Sequence, residues 1–429
     1  MSGAVIDRSA EGTPGGTAAD PVAELEARLH ELAPPEWVAA VDAGDHERLE
    51  AFAGTDAADA LVQAVAAEGW MTPHWPPAHG GRGLDEDAAA RVAGVVRRWA
   101  IGSVNAAIGV AWVGPTIAEV GTAAQQARYL PPIARYEELW CQLFSEPEAG
   151  SDLAGVRARA TRDGDGWRID GVKMWTSRAH LARRGLLVAR TDIDVAKHAG
   201  LTCFCVDMTA PGVTVSPIRQ MTGDAEFYET RLDGVVVPDD DRLGPVGDGW
   251  RVVRTVLANE RRGGSGVGAS PPGSVVGRSM DELVERHRGR LDPVRRDRLV
   301  AELIDARLIE WTNARYRDEQ AADPGAPNRA AVTKVLQAHH TQRLQELFVD
   351  LDGGAGVAWP AGDRWAEPNR WAFLRVRAKT IAGGTSEILR NQVAERVLGL
   401  PRETDASKGV PFRQVARSGA VARATSGEH

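Results

Sequence analysis

The chain changes period twice, and that order constrains its fold more than any other feature. Ala-rich amphipathic stretches over roughly 21–32, 45–68, 85–121 and 123–135 predict helices across residues 21–138. Thr72-Pro73-His74-Trp75-Pro76-Pro77 and Gly80-Gly81 interrupt them with a loop, because proline and glycine punctuate too densely there for a helix. Across residues 139–242 the period shortens. Gly164-Asp165-Gly166 separates extended runs at 156–161 and 167–169, a hairpin signal. Further runs follow at 185–190, 201–207, 213–218 and 234–237, and strands at this spacing predict a small β-barrel or sandwich. Residues 243–403 return to helix over about 248–262, 274–288, 293–320 and 328–352. A break at Gly353-Gly354-Ala355-Gly356 precedes a final helix near 386–398. Helices, strands and helices in that order do not make a doubly wound sheet. No Gly-x-Gly-x-x-Gly follows a strand and opens a helix, which argues against a Rossmann dinucleotide site.

A length of 429 residues implies two or three domains. Residues 1–20 and 404–429, rich in small residues and charge, read as disordered tails. The net charge of −8 argues against nucleic acid as a partner. The cysteines, Cys141, Cys203 and Cys205, are odd in number and lack metal-ligand pairing, as expected in a reducing compartment. Cys203 and Cys205 stand two apart in an apolar run and face one side of a strand as packed thiols. Residues 1–20 contain no apolar signal core, and no apolar run reaches the ~20 residues that span a bilayer. The expectation is a cytoplasmic protein with no membrane partner. No metal site is expected. His74 and His79 lie in the proline-rich loop, and the neighbours His339 and His340 point to different sides of a helix. Ser265 and Ser270, near glycines, do not form a nucleophile elbow.

Three motifs then meet in order. Gln142-Leu143-Phe144-Ser145-Glu146-Pro147-Glu148-Ala149-Gly150-Ser151-Asp152 resembles an acyl-CoA dehydrogenase signature, an extended run followed by Ser/Thr-Glu-Pro-Gly-Ala-Gly-Ser-Asp. Gly171-Val172-Lys173-Met174-Trp175-Thr176-Ser177 is similar to the family's Gly-x-Lys-x-Trp element. Ile381-Ala382-Gly383-Gly384-Thr385-Ser386-Glu387-Ile388 is similar to its C-terminal Glu-Gly-Thr-Ser loop. The resemblance spans roughly residues 21–403. It implies an α+β fold with an N-terminal helical domain (21–138), a middle β-barrel domain (139–242) and a C-terminal four-helix bundle (243–403). It also implies FAD as cofactor and an acyl-CoA thioester as substrate.

By that resemblance Phe144, Ser145, Trp175 and Ser177 contact the flavin ring, and Thr385 and Glu387 contact the diphosphate and adenine region. Ser151 lies toward the pantetheine or phosphate end of the thioester. Read alone, Phe144 and Trp175 are equally well barrel core, and the serines turn caps. The reaction needs a carboxylate for the α-proton, and most members keep a Glu just before the C-terminal Gly-Thr. Gly383 stands there in this chain. Some members instead carry Glu-Arg on the first helix after the barrel, and Glu260-Arg261 matches it. Val253, Val256, Leu257 and Glu260 share an apolar stripe, where burial would raise a carboxyl pKa toward that of a useful base, with Arg261 holding it. On the residues alone, an ion pair with Arg254, Arg261 or Arg262 is the alternative. The Gly383 N–H is the expected donor to the thioester oxygen.

The chain also departs from the family. Glu148 replaces a usual Gly, which would strain a positive φ and repel CoA phosphates. No Arg-x-x-Phe-Gly follows the first C-terminal helix. Arg286 and Arg288 stand nearby on a charged helix face, and Asp350 replaces a Gln that contacts FAD. The resemblance implies a tetramer, lipid or fatty acid catabolism and an electron-accepting flavoprotein. The departures keep two alternatives: one subunit of a heteromeric dehydrogenase, or a non-catalytic thioester-binding homologue. Oxidases and carrier-protein dehydrogenases share the same motifs.

Overall fold

Short helices with strong start signals build the first of two compact units. The computed structural model describes residues 20–52, 55–101, 107–263, 280–289, 291–323, 329–358, 366–403 and 407–415. One unit holds residues up to 103 together with Ala134–Tyr136, and the other holds Val104–Ile133 and the chain from Glu137 onward. In the first, α1 (Pro21–Leu32) starts behind Asp20, whose carboxylate accepts from the Val22 N–H at 3.3 Å. α2 (Pro35–Ala43) and α3 (His46–Phe52) follow. α4 (Asp56–Ala67) is capped by Thr55, and α5 (Glu86–Arg98) by Asp85. The expected helix over 45–68 is therefore two helices, because Thr55 starts a new one. Leu25, Leu29, Val62, Val65 and Val92 form the core around Trp37, whose indole N–H donates to the Trp99 carbonyl at 3.0 Å.

The second unit opens with α6 (Gly114–Val120) and α7 (Ala123–Ala134). The stretch expected as one helix over 85–121 is thus divided, α5 in one unit and α6 in the other. The strands are β1 (Trp140–Leu143), β2 (Arg159–Asp163), β3 (Gly166–Ser177), β4 (Arg184–Arg190), β5 (Leu201–Asp207), β6 (Val213–Ile218), β7 (Phe227–Pro238) and β8 (Arg242–Leu243). They form one sheet in the order β6-β7-β3-β2-β4-β5-β8, with β1 parallel to β4. The Gly164-Asp165 turn closes the β2–β3 hairpin with Asp163 opposite Gly166, as its residues predict. β3 and β7 run well past their apolar cores, and antiparallel pairing carries β3 through the Lys173-Met174-Trp175 motif to Ser177 opposite Phe227. Side chains of β1, β2, β3, β4, β5 and β7 meet in one buried cluster, so the sheet wraps around its own core. Cys203 and Cys205 are both fully buried thiols.

After the barrel come α8 (Gly249–Gly263), α9 (Met280–His287), α10 (Pro293–Ala322) and α11 (Ala330–Leu351), at the four expected positions. Residues 264–279, with Ser265 and Ser270, lie outside the described residues. α12 (Gly354–Val357), α13 (Ala366–Arg375) and α14 (Ser386–Gln392) complete the unit. Gly249 sets α8 on the barrel. A Cβ there would stand 2.6 Å from the Thr202 nitrogen on β5, so only glycine permits that approach.

The expected tail over 404–429 is corrected at its start. Phe412 is buried; its N–H donates to the Val195 carbonyl at 2.8 Å, and Arg413 pairs with Asp194 at 2.9 Å. The Arg190 guanidinium lies 3.4 Å over the Phe412 ring. Among the described residues no helix is long and apolar enough to cross a membrane.

Candidate active site

Two of the three motifs are joined by a buried ion pair that their separate patterns do not reveal. Where β1 ends, Glu146 turns back on Ala149 through a pair of backbone hydrogen bonds. Its carboxylate accepts from the Arg157 N–H at 2.6 Å, the Ala158 N–H at 2.9 Å and the Lys173 ammonium at 2.8 Å. Lys173, fully buried on β3, also donates to the Phe144 carbonyl at 3.0 Å. Burial pushes its pKa down, and Glu146 opposes that shift. Every charge in this knot is answered, which is the condition for burying it. Arg190 locks the same loop from beyond, donating to the carbonyls of Ala154 at 2.6 Å and Val156 at 3.1 Å.

The knot fixes the strand that carries Trp175. The Met174 N–H donates to the Ser145 carbonyl at 2.8 Å, so Ser145 lies against β3 beside that residue. Between Lys173 and Thr176 the β3–β7 register slips, and Trp175 takes a φ of +60°. A large side chain in the left-handed region is strained by about 1–3 kcal/mol and persists where surroundings dictate it. Its indole is 56% exposed, edge-on to Phe227 at 6.1 Å. Trp175 is therefore not barrel core, whereas the Phe144 ring is buried, which leaves that residue's backbone for the flavin contact the resemblance implies. Ser145 and Ser177 are half-buried. Just beyond lies an open cleft of ≈370 Å³ lined by Arg178, His180, Asp224, Glu226, Tyr228 and Trp371.

The third motif and the proposed base are linked by a residue that the sequence did not single out. On α8, Val252, Val253, Val256 and Asn259 are buried, and Asn259 donates to the Thr116 hydroxyl on α6 at 3.0 Å. Glu260 is half-buried at the edge of that stripe rather than in its middle. The Arg261 side chain lies outside the described residues. Gly383, exposed at φ +67°, and Gly384, at φ +96°, form the turn before α14, a backbone path open to glycine. Lys334 on α11 reaches that turn, donating to the Lys379 carbonyl at 2.7 Å and the Gly384 carbonyl at 2.9 Å. Burial and Lys379 push its pKa down to about 8, and Glu260 opposes them. A lysine on a helical face gives no sequence signal of its own. Only the spatial return of the loop reveals it.

The remaining expected residues are placed as follows. Thr385 caps α14 by accepting from the Ile388 N–H at 3.2 Å, and Glu387 is exposed in that helix's first turn. Ser386 between them is buried, with a hydroxyl that has no hydrogen-bond partner among the described residues. Ser151 is exposed, next to Asp152, which pairs with Lys197 at 3.0 Å. Glu148 is exposed and does not have a positive φ, so the expected backbone strain is absent there. Arg288 pairs with Glu285 at 2.8 Å and Arg286 with Asp352 at 3.6 Å, as on a charged helix face. Glu302, Asp305 and His340 come together as metal ligands could, but Arg343 holds Glu302 at 2.7 Å and also contacts Asp305. A flavin would find an exposed indole and two half-buried hydroxyls at the barrel rim, with the unpartnered Ser386 hydroxyl at the third motif. These donors suit such a group.

Known proteins are similar to this chain in sequence and fold. Residues 36–137, 141–235 and 247–398 match the N-terminal, middle and C-terminal domain families of acyl-CoA dehydrogenase. The acyl-CoA dehydrogenase IpdE1 of Mycobacterium tuberculosis is 40% identical over 383 residues, covering 86% of this chain and 96% of IpdE1. The acyl-CoA dehydrogenase FadE34 of the same organism is 41% identical over 350 residues, 79% of this chain; this chain spans about half the length of FadE34, 46% being covered. Among solved structures, the Tcur3481-Tcur3483 steroid ACAD superposes with a TM-score of 0.71 at 27% identity, covering 89% of this chain and 97% of that one.

Proposed function

This chain belongs to the acyl-CoA dehydrogenase family, oxidoreductases acting on CH–CH bonds, and from that premise we propose that it dehydrogenates the Cα–Cβ bond of an acyl-CoA thioester. Glu260 takes the α-proton. Its position at the edge of a buried stripe, with the side-chain-free Gly383 in the motif that usually supplies the carboxylate, is the observation that carries this reading. The Gly383 N–H receives the thioester oxygen as negative charge grows on it. FAD would be held by the Phe144 backbone, Ser145, Trp175, Ser177, Thr385 and Glu387, and when bound would supply the two-electron acceptor for the β-hydrogen. Trp175 gives that cofactor an apolar wall, and the Glu146–Lys173 knot fixes the strand presenting it. Ser151 lies toward the CoA end of the substrate, and an electron-transferring flavoprotein reoxidises the enzyme.

The acyl group is bulky and ring-bearing in this reading. A glycine at position 383 leaves space beside the thioester, and a structural relative is a steroid ACAD. A second reading makes the chain one subunit of a heteromer. It is favoured by an apolar stripe on α10, where Val300, Ile304, Leu308 and Trp311 follow helical spacing and are all exposed.

The test is anaerobic addition of butyryl-CoA, palmitoyl-CoA and a CoA thioester of a steroid carboxylic acid to the purified, FAD-loaded chain. Bleaching of the flavin band, fastest with the steroid thioester, is the expected result. A chain that takes up FAD only with a co-expressed relative supports the heteromer. Full loading without turnover on any thioester overturns the enzymatic reading.

A further inference from the structure

Lys334 holds the turn of the third motif and lies within the electrostatic reach of Glu260. Its side chain is 8% exposed, and its ammonium donates to the carbonyls of Lys379 and Gly384 at 2.7 and 2.9 Å. Those carbonyls bracket residues 380–383, so one cation pins both ends of the turn carrying the Gly383 N–H. The charged groups acting on Lys334 come from two other elements: Lys379 from the turn before the loop and Glu260 from α8. Lys379 in turn feels Arg375 and Glu226.

We infer that Lys334 is a positioning residue for the dehydrogenation, fixing the Gly383 turn while its charge keeps Glu260 in the carboxylate form. The inference rests on Glu260 being the base. Two neutral carbonyls cannot neutralise an ammonium, so its field remains available to a nearby carboxylate, and an opposite charge favours the ionised form. That field disappears when Lys334 loses its proton, which burial brings down to about pH 8. Above that point the turn carrying the Gly383 N–H is held by a neutral amine instead of a charged donor, and so less firmly.

The experiment is the pH profile of single-turnover flavin reduction in the FAD-loaded chain, using the thioester from the panel above that bleaches it fastest. Lys334→Arg keeps the charge and the donors but cannot deprotonate in this range. It is expected to stay within about threefold of wild type at pH 7 and to lose the alkaline limb near pH 8. Lys334→Met is expected to slow reduction roughly tenfold or more and to move the acid limb upward by about one pH unit. Denaturation of each variant against pH gives a readout independent of turnover: the wild type should gain stability relative to both Lys334 variants as pH rises above 8. Glu260→Gln separates the two ideas. If it reduces flavin as fast as wild type, the base assignment falls. If it is inactive while Lys334→Arg and Lys334→Met keep the wild-type profile, the role of Lys334 falls alone. Should Lys334→Met not fold, the alkaline limb of Lys334→Arg decides.

Discussion

Two buried lysines organise the two sides of the candidate site, and the chain answers them differently. Lys173, in the barrel, meets a carboxylate: Glu146 at 2.8 Å, itself held by two backbone N–H groups. Lys334, among the C-terminal helices, meets two carbonyls. A fixed counter-charge opposes loss of the first ammonium's proton, because losing it would leave a buried anion, although burial still holds that pKa below the ordinary lysine value. Dipoles leave the second free to titrate. The barrel side is thus a rigid support with settled charges, and the helical side is where charge can change during a reaction.

Several measurements would break or sharpen that contrast. The largest effect should fall on the helical side. Glu260→Gln is expected to slow flavin reduction by on the order of 10²–10⁴, read by anaerobic stopped flow, with FAD content unchanged. On the barrel side, Lys173→Met should cost about 3–5 kcal/mol of stability in urea denaturation, because it strands Glu146 in the interior. Adding Glu146→Gln, which removes the stranded charge and keeps an acceptor for the Arg157 and Ala158 N–H groups, should recover part of it. If Lys173→Met folds as well as wild type, the knot is not the support described.

A smaller effect separates the lysines by pH. Lys334 has a pKa of about 8 when folded against 10.5 ordinarily, so between those values the unfolded chain binds more protons than the folded one. Stability should therefore rise relative to Lys334→Met as pH climbs from 8 toward 10.5, and no such rise should appear below 8. The smallest stability change concerns the rim. Trp175→Gly removes a strained φ worth about 1 kcal/mol, so the melting temperature should hold or rise slightly while FAD dissociation quickens about tenfold. A variant that loses stability and keeps FAD would show that the indole serves the barrel rather than the cofactor.

The order of the layers was legible in the sequence because hydrophobic period is local. So was the hairpin at Gly164, which depends on residues a few positions apart, whereas the starts of the helices at Asp56 and Gly114 were passed over inside longer Ala-rich stretches. The motifs named most of the candidate site for the same reason. What stayed hidden was pairing at distance. Glu146 and Lys173 each sat in a recognised motif, yet 27 residues separate them and no period links them. Lys334 and the Gly384 carbonyl are 50 residues apart. Trp175 has no glycine or proline to announce a left-handed turn, because the register slip against β7 imposes it. Phe144 and Trp175 could not be told apart as aromatic residues in extended runs, and only the curvature of the sheet sends one inward and the other out.

The seat of Phe412 on Arg190 has a consequence for synthesis. Leu243 ends the last barrel strand, and the whole C-terminal helical stretch is translated before Phe412 appears. At about 5–20 residues per second the barrel stands for roughly ten seconds or longer without its final aromatic contact. During that interval Arg190 holds the loop behind Ser151 without an aromatic ring over its guanidinium, and the nascent barrel is most open to proteases and to wrong partners.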